Sequence, residues 1–249
     1  MFRFFRQLRK KGIGDGRVRR YMFYAIGEVA LVVIGILLAL QIDAWNTARV
    51  DRKKEILYLK EIRTNLKDDL NNVEYSIAFN REKDSVITAS LNAMLDAGSS
   101  LEAMLGISRN MPILAEFSVY TQNRVAFDNM LSAENIDLIS EDSMRTELSA
   151  YYSEQNLLDG TQERVKQLTR IFVDNITPSL MNRENITQFF KDNNFDSAND
   201  LDFTTNRVLF GDLFGMQRNL ESHTLYLEAY QRQIQALIAQ IDTFLSRTN

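Results

Sequence analysis

The chain of 249 residues contains no cysteine. That excludes disulfides, cysteine-bound zinc, iron–sulfur clusters and lipid attachment through an N-terminal cysteine. With a single histidine, His223, any metal site would have to be built from carboxylates, which favour a hard cation over a transition metal. Two prolines and ten glycines are too few for the turns of a β-sandwich or barrel. A chain that is 45% hydrophobic and 25% charged has enough apolar material for a proper core. The fold class these observations predict is all-α.

Charge of one sign is missing from most of the chain. The net charge is −4, yet residues 1–20 hold eight basic side chains (Arg3, Arg6, Arg9, Lys10, Lys11, Arg17, Arg19 and Arg20) against one acid, Asp15. The remainder is therefore acidic. A nucleic-acid binder spreads its positive charge over a folded surface, so no nucleic-acid partner is expected. Here the positive charge adjoins an apolar run.

That run, Ala25 to Ile42, is interrupted by one ionisable residue, Glu28. Its length as a helix is roughly 27 Å, close to the ~30 Å hydrocarbon thickness of a bilayer. Tyr21, Phe23 and Tyr24 stand at one end and Trp45 at the other, where amphipathic rings favour the headgroup level. The basic cluster before the span exceeds the one after it (Arg49, Arg52, Lys53, Lys54), which keeps the N-terminus in the cytoplasm. A cleaved signal peptide is the competing reading, but no A-x-A-like site follows Leu38. The expected organisation is a basic amphipathic cytoplasmic segment (1–20), a transmembrane anchor (21–46) and an extracytoplasmic helical bundle (47–249). The expected location is a bacterial inner membrane with the bulk of the chain periplasmic. Within "MFRFFRQLRKK" the cations alternate with Phe2, Phe4, Phe5 and Leu8, so the eight basic side chains are candidate inner-leaflet contacts to membrane lipids or a docking strip for a partner.

An acid facing acyl chains is costly, and such residues normally face protein or a water cavity. Glu28, Leu31, Gly35, Ala39 and Ile42 fall on one helical stripe, with Gly27 beside it, and Gly35 and Ala39 make a small-xxx-small pair that admits a second helix. Gly27, Glu28, Leu31, Gly35 and Ala39 are thus the candidate helix–helix interface, with a homo-oligomer or another membrane protein as the partner. Glu28 either pairs with Arg20 or a neighbouring helix and fixes register, or it titrates on an ion path. The second reading has a parallel in layout, since the chain resembles the stator-type B subunits of ion-driven bacterial motors.

A more specific resemblance rests on "FRFFRQLRK", "YAIGE", the Ile/Val-rich span and the closing "QIDAWN", together with "AFDNMLSAENIDLISEDSMRTELSAYY" (126–152). These stretches resemble a family of uncharacterised single-pass membrane-anchored bacterial proteins, a domain of unknown function. Glu134 stands where that family's pattern has glycine. The resemblance implies a location and carries no activity.

Beyond Arg52, apolar residues recur every three or four positions (Ile56, Leu59, Ile62, Leu66, Leu70, Val73, Ile77), predicting an amphipathic helix that continues from the span to a stop near Gly98, with a break at Asp43 to Asn46 if anywhere. A short helix is then expected from Ser99 or Ser100 to Gly106, with "ISRNMP" as a loop. A helix from about Ile113 to Leu131 follows, then a turn at "SAENIDLI", and a helix capped by Ser140 that runs to about Ile176 before Pro178. Asn185 to Lys191 is a short helix at most. Asp192, Asp196, Asp200 and Asp202 lie in an Asn-rich loop whose spacing lacks the calcium-loop rhythm, so it reads as a solvated loop. The last helix carries an eleven-residue seam: Leu209, Leu213, Met216, Leu220, His223, Leu227, Tyr230, Ile234, Leu237, Ile241 and Phe244. Gln, Asn, Thr and Tyr flank the seam where a two-stranded zipper would be charged, so this is a helix inside a bundle, packed on residues 55–97 and 141–176. His223 occupies a seam position and is a candidate pH-sensitive core residue.

No catalytic constellation is expected. A di-iron bundle needs two E-x-x-H repeats, and no nucleophile elbow, phosphate-cradling glycine loop or metalloprotease motif occurs in the sequence. The reading is a non-enzymatic interaction or scaffold protein of the cell envelope, without cofactor. The alternatives are a periplasmic ligand sensor that signals through a membrane partner, and an accessory subunit of an ion-driven or transport complex that uses Glu28.

Overall fold

The structure, a computed structural model, describes residues 16–96, 100–153, 155–180 and 206–247. The described residues are helical apart from turns and one extended stretch, and no strand occurs among them. The fold class is all-α, as composition and periodicity predict.

Helix α1 is Gly16–Asp96, 81 residues, uninterrupted at 43–46. No glycine or proline falls between Ile36 and Asp96, so nothing in the covalent chain breaks it. Two compact units divide within this helix, Met1–Glu55 and Ile56–Asn249. In the first unit every residue from Arg19 to Val50 is exposed. The helix is long and apolar enough to cross a membrane by length and composition.

In the second unit, α1 is followed by α2 (Ser100–Leu114), a non-helical segment over 116–124, and α3 (Val125–Ser132). A 3-10 turn (Ile136–Leu138), α4 (Asp142–Ser153), α5 (Gln155–Leu180) and α6 (Arg207–Ser246) complete it. Helix α6 begins where the Asn206 side chain accepts from the Val208 and Leu209 amides, two of the donors a helix start leaves unpaired. All eleven predicted seam residues of α6 are buried.

Cross-links fix the directions. Residues Arg63, Glu74, Asn80 and Thr88 of α1 meet Asp242, Gln231, Thr224 and Gln217 of α6 respectively, so the two helices run antiparallel. Glu147 of α4 bonds Gln240 at 2.5 Å, and Thr161 and Asn175 of α5 bond His223 and Asp212. Both α4 and α5 therefore descend α6 in one continuous register. The sequence predicts a single helix there; the structure describes helix over Asp142–Ser153 and Gln155–Leu180, and residue 154 between them lies outside the described residues.

Two apolar clusters make the core. One gathers Leu59 to Ile77 of α1 with Leu227 to Phe244 of α6 and the α3–α4 region. The other gathers Ile87 to Met94 of α1 with Leu209 to Leu220 of α6, α2 and α5. Each fully buried Leu, Ile or Phe contributes ~1.5–3 kcal/mol. Between the clusters along α1 and α6 lie Asn80, Lys83 and His223, all buried.

Three expected boundaries move. Helix α2 runs through Gly106 to Leu114 with Pro112 inside it, where "ISRNMP" reads as a loop. Ala103, Ile107 and Leu114 are buried in the second cluster, and this burial outweighs the one i→i−4 bond that Pro112 removes from the last turn. Helix α5 likewise contains Pro178 and extends to Leu180. The helix expected over 113–131 is the end of α2, a non-helical segment over 116–124 and the two turns of α3. The stop at Gly98, the short helix at 185–191 and the aspartate-rich loop lie outside the described residues.

Candidate functional site

Two places concentrate unusual chemistry, one in each unit. In the first unit, Tyr21, Phe23, Tyr24 and Trp45 flank the apolar stretch of α1 as exposed side chains. Glu28, Gly27, Leu31, Gly35 and Ala39 are likewise exposed. A Cβ added at Gly27 or Gly35 would meet nothing within 4 Å, so the stripe is open to a neighbour. Arg19 and Arg20 are exposed on the same helix, and the Arg19 guanidinium lies 5.8 Å from the Phe23 ring centroid. Arg17 lies in the helix. Arg3, Arg6, Arg9, Lys10 and Lys11 lie outside the described residues.

The second unit holds a buried polar knot that the sequence did not disclose. Asp69 of α1 has no solvent exposure. Its Oδ2 accepts from the Tyr151 hydroxyl at 2.8 Å, and its Oδ1 accepts from the Asn123 amide at 2.8 Å. Tyr151 in turn is 2.9 Å from the Tyr120 hydroxyl. Burial raises the Asp69 carboxyl above its ordinary range, the bonds from Asn123 and Tyr151 oppose that rise, and Asp68 adds to it. Burial also raises the phenols of Tyr120, Tyr151 and Tyr152, so all three stay neutral, and the Tyr152 hydroxyl has no hydrogen-bond partner among the described residues. Their rings form a cluster: Phe127 stacks on Tyr152 at 4.3 Å between centroids, and Tyr230 of α6 meets Tyr120 edge-on at 6.4 Å.

The non-helical segment 116–124 closes this knot. Gln122 Nε2 donates to the Tyr151 carbonyl at 2.7 Å and the Arg124 guanidinium donates to the Tyr152 carbonyl. Both carbonyls belong to the last turn of α4, where carbonyls run short of helical N–H donors. Arg124 there also complements the negative end of the helix dipole and pairs with Asp128 at 3.1 Å. The junction of α4 and α5 is thus capped in part from the segment.

The turn after α3 is closed in the way a helix end usually is closed by glycine. The Asn135 amide donates to the Met130 carbonyl and the Glu134 amide to the Leu131 carbonyl, both at 3.0 Å, with Glu134 at φ 55°. That is the Schellman pattern with a glutamate in the left-handed position. Within the turn expected at "SAENIDLI", Glu134 takes the strained conformation, and Asn135 Nδ2 donates to the Tyr58 hydroxyl of α1 at 3.0 Å.

The remaining buried groups lie between the apolar clusters. Lys83 Nζ donates to Thr169 Oγ1 at 3.0 Å and to the Glu116 carbonyl. Burial pushes its ammonium down to about 8 against the pull of the Glu116 carboxylate. His223 Nδ1 lies 3.0 Å from Thr161 Oγ1, which itself donates to the Leu158 carbonyl. With the threonine proton committed, Nδ1 carries the ring hydrogen. Nε2 is buried without a hydrogen-bond partner among the described residues, and burial pushes the imidazole down to about 4.

The pattern that defines a family of unknown function (DUF6090) matches residues 28–162, more than half of the chain. The chain belongs to this family. No curated protein and no solved structure matches it. The DUF6090 region contains Glu28, the 126–152 patch and most of the buried knot, from Asp69 through Tyr120 and Gln122 to Tyr151 and Gln162. It ends before Lys166, so His223 and Tyr230 of α6 lie outside the matched region. The sequence missed the knot because its members are scattered over five helices and the segment between α2 and α3. The run "FSVYT" (117–121), rich in β-branched and aromatic residues, was the one local signal that this stretch is extended.

Proposed function

We propose that this DUF6090 protein is a non-catalytic, membrane-anchored helical-bundle protein of the bacterial cell envelope, which acts by assembling with other membrane proteins or copies of itself. The observation that carries the reading is the apolar stretch of α1, all of whose side chains from Arg19 to Val50 are exposed. Leaving that much apolar surface in water would cost ~25 cal/mol per Å², and a bilayer removes the cost. The aromatic residues at both ends and the basic excess before the stretch support an N-terminus in the cytoplasm and a periplasmic bundle. Glu28 supports an interface on the stripe with Gly27, Leu31, Gly35 and Ala39, because an acid at that depth favours a protein neighbour over lipid.

Cross-linking tests the assembly. The chain has no native cysteine, so Gly35→Cys and Ala39→Cys each supply a unique thiol. Disulfide dimers in native membranes at these positions, and not at Ile34→Cys, are the expected result. Correct insertion with no dimer at either position removes the homotypic interface. A larger cross-linked product of constant mass points instead to a different membrane protein.

A further inference from the structure

The segment 116–124 is held by side chains on three helices. At one end the Lys83 ammonium of α1 donates to its Glu116 carbonyl. At the other end the Asp69 carboxylate of α1 accepts its Asn123 amide at 2.8 Å. Between them the Tyr120 amide donates to Gln162 Oε1 of α5 at 2.8 Å, and Gln122 bonds the Tyr151 carbonyl of α4. The two clamps on α1 are fourteen residues apart, ~21 Å along a helix. Seven extended residues cover ~23 Å whereas seven helical ones cover only ~10 Å. A helix of seven residues is too short for the interval between the clamps, in keeping with the non-helical course of the segment.

Each clamp matches the polarity of the backbone it holds, an ammonium on a carbonyl and a carboxylate on an amide. Each is also buried, with no exposure at either Asp69 or Lys83, so closure takes two ions out of water. We propose that residues 116–124 form a releasable strap, which opens as a unit and returns Lys83 and Asp69 to water while α1, α4, α5 and α6 stay paired.

The groups that face the two clamps are few. Lys83 meets Glu116 from the strap and Thr169 from α5, while the titratable group of α6 in the same polar belt, His223, is committed to Thr161. Asp69 meets Asn123 from the strap, Tyr151 from α4 and Asp68 of its own helix. Burial moves both clamps towards their neutral forms, so closing the strap is hardest in the pH range where both are ionised. For Lys83 the closed form binds its proton less tightly than the open form, and closure is favoured as pH rises above about 8.

Native-state hydrogen exchange on the full chain in mild detergent tests this. The Tyr120 and Asn123 amides are expected to have protection factors at least ~10-fold below those of Leu227 and Ile234 in α6, with little dependence on dilute urea, as local opening requires. After correction for intrinsic rates, strap protection is expected to rise about tenfold between pH 7 and pH 9 while Lys83 sheds its proton in the closed form only. Lys83→Met should abolish that rise. The proposal is overturned if the strap amides share the protection and urea dependence of α6, if their protection falls with rising pH, or if the rise persists in Lys83→Met. Should that variant not fold, the wild-type pH series decides alone.

Discussion

Tyr151 donates its phenolic hydrogen to Asp69 Oδ2 at 2.8 Å, and this one bond sets the direction of the buried chain behind it. An ionised carboxylate can only accept, so the hydroxyl proton of Tyr151 is committed. Tyr120, 2.9 Å away, must then be the donor to Tyr151. An asparagine at 69 can keep its Oδ1 on the Asn123 amide while its Nδ2 donates to Tyr151, which reverses the chain without breaking it. Asp69→Asn is therefore expected to change stability at pH 7 by less than ~1 kcal/mol, or to increase it. Asp69→Leu strands one hydroxyl and one amide and is expected to cost about 2–5 kcal/mol. Because burial raises the Asp69 carboxyl in the folded chain, its contribution is greatest below the ordinary carboxyl range and is lost as pH rises through the raised value. Urea unfolding of the two forms should diverge in favour of Asp69→Asn as pH increases from acid to neutral.

His223 has the opposite dependence on acid. Its imidazole is pushed down to about 4, so the unfolded chain takes up a proton below its ordinary value near 6.5 while the folded chain does not. Stability is expected to fall as pH drops from about 6.5 to 4, by on the order of 3 kcal/mol in total. His223→Leu removes the titrating group and the unpaired Nε2, and it bridges the two apolar clusters. Thermal unfolding of that variant should lose this component of the acid sensitivity and match or exceed the wild type at pH 7. An unchanged acid profile would contradict the assignment.

Glu134 occupies a left-handed backbone position at φ 55°, which an L side chain adopts at a cost. Glu134→Gly should stabilise the chain by about 1 kcal/mol, while Glu134→Ala should not. The glycine in the pattern this sequence resembles fits the same geometry. Equal stabilities for Gly and Ala at this position, measured by chemical denaturation, would show that the turn is not strained.

In the first unit the prediction concerns Glu28. If the residue serves an interface by hydrogen bonding, Glu28→Gln should keep most of the assembly seen by cross-linking at Gly35→Cys, and Glu28→Leu should lose it. If proton or ion movement is its task, Glu28→Gln should abolish function as fully as Glu28→Leu. The ranking of the two variants separates the readings.

The helical half of this picture was legible because periodicity needs only local sequence. Every seam residue of α6, from Leu209 to Phe244, is buried, and the stripe from Leu59 to Ile77 on α1 is in the core with it, Leu70 at its edge. The strap was not legible, since what holds 116–124 is two clamps on α1 and the open end of α4. None of these is near it in sequence. The same is true of Asp69, which in the sequence is one of a pair of acids on a charged face. The second acid, Asp68, is exposed, and the burial of its neighbour follows from the packing of Tyr151 and Asn123 onto α1. Pro112 and Pro178 misled in the other direction, because each removes one helical bond while the apolar residues around it, Leu114 and Leu180 among them, are buried in the second cluster.

The central claim is that α1 anchors the bundle in a membrane with the bundle outside the cytoplasm. It is tested most directly by placing a single thiol at exposed Ser246 near the end of α6. Intact spheroplasts expressing Ser246→Cys are treated with a membrane-impermeant maleimide, and the label is then followed through an alkaline carbonate wash. The account predicts label without cell lysis, retained in the washed membranes. Label that appears only after lysis, or that leaves with the wash, would contradict it.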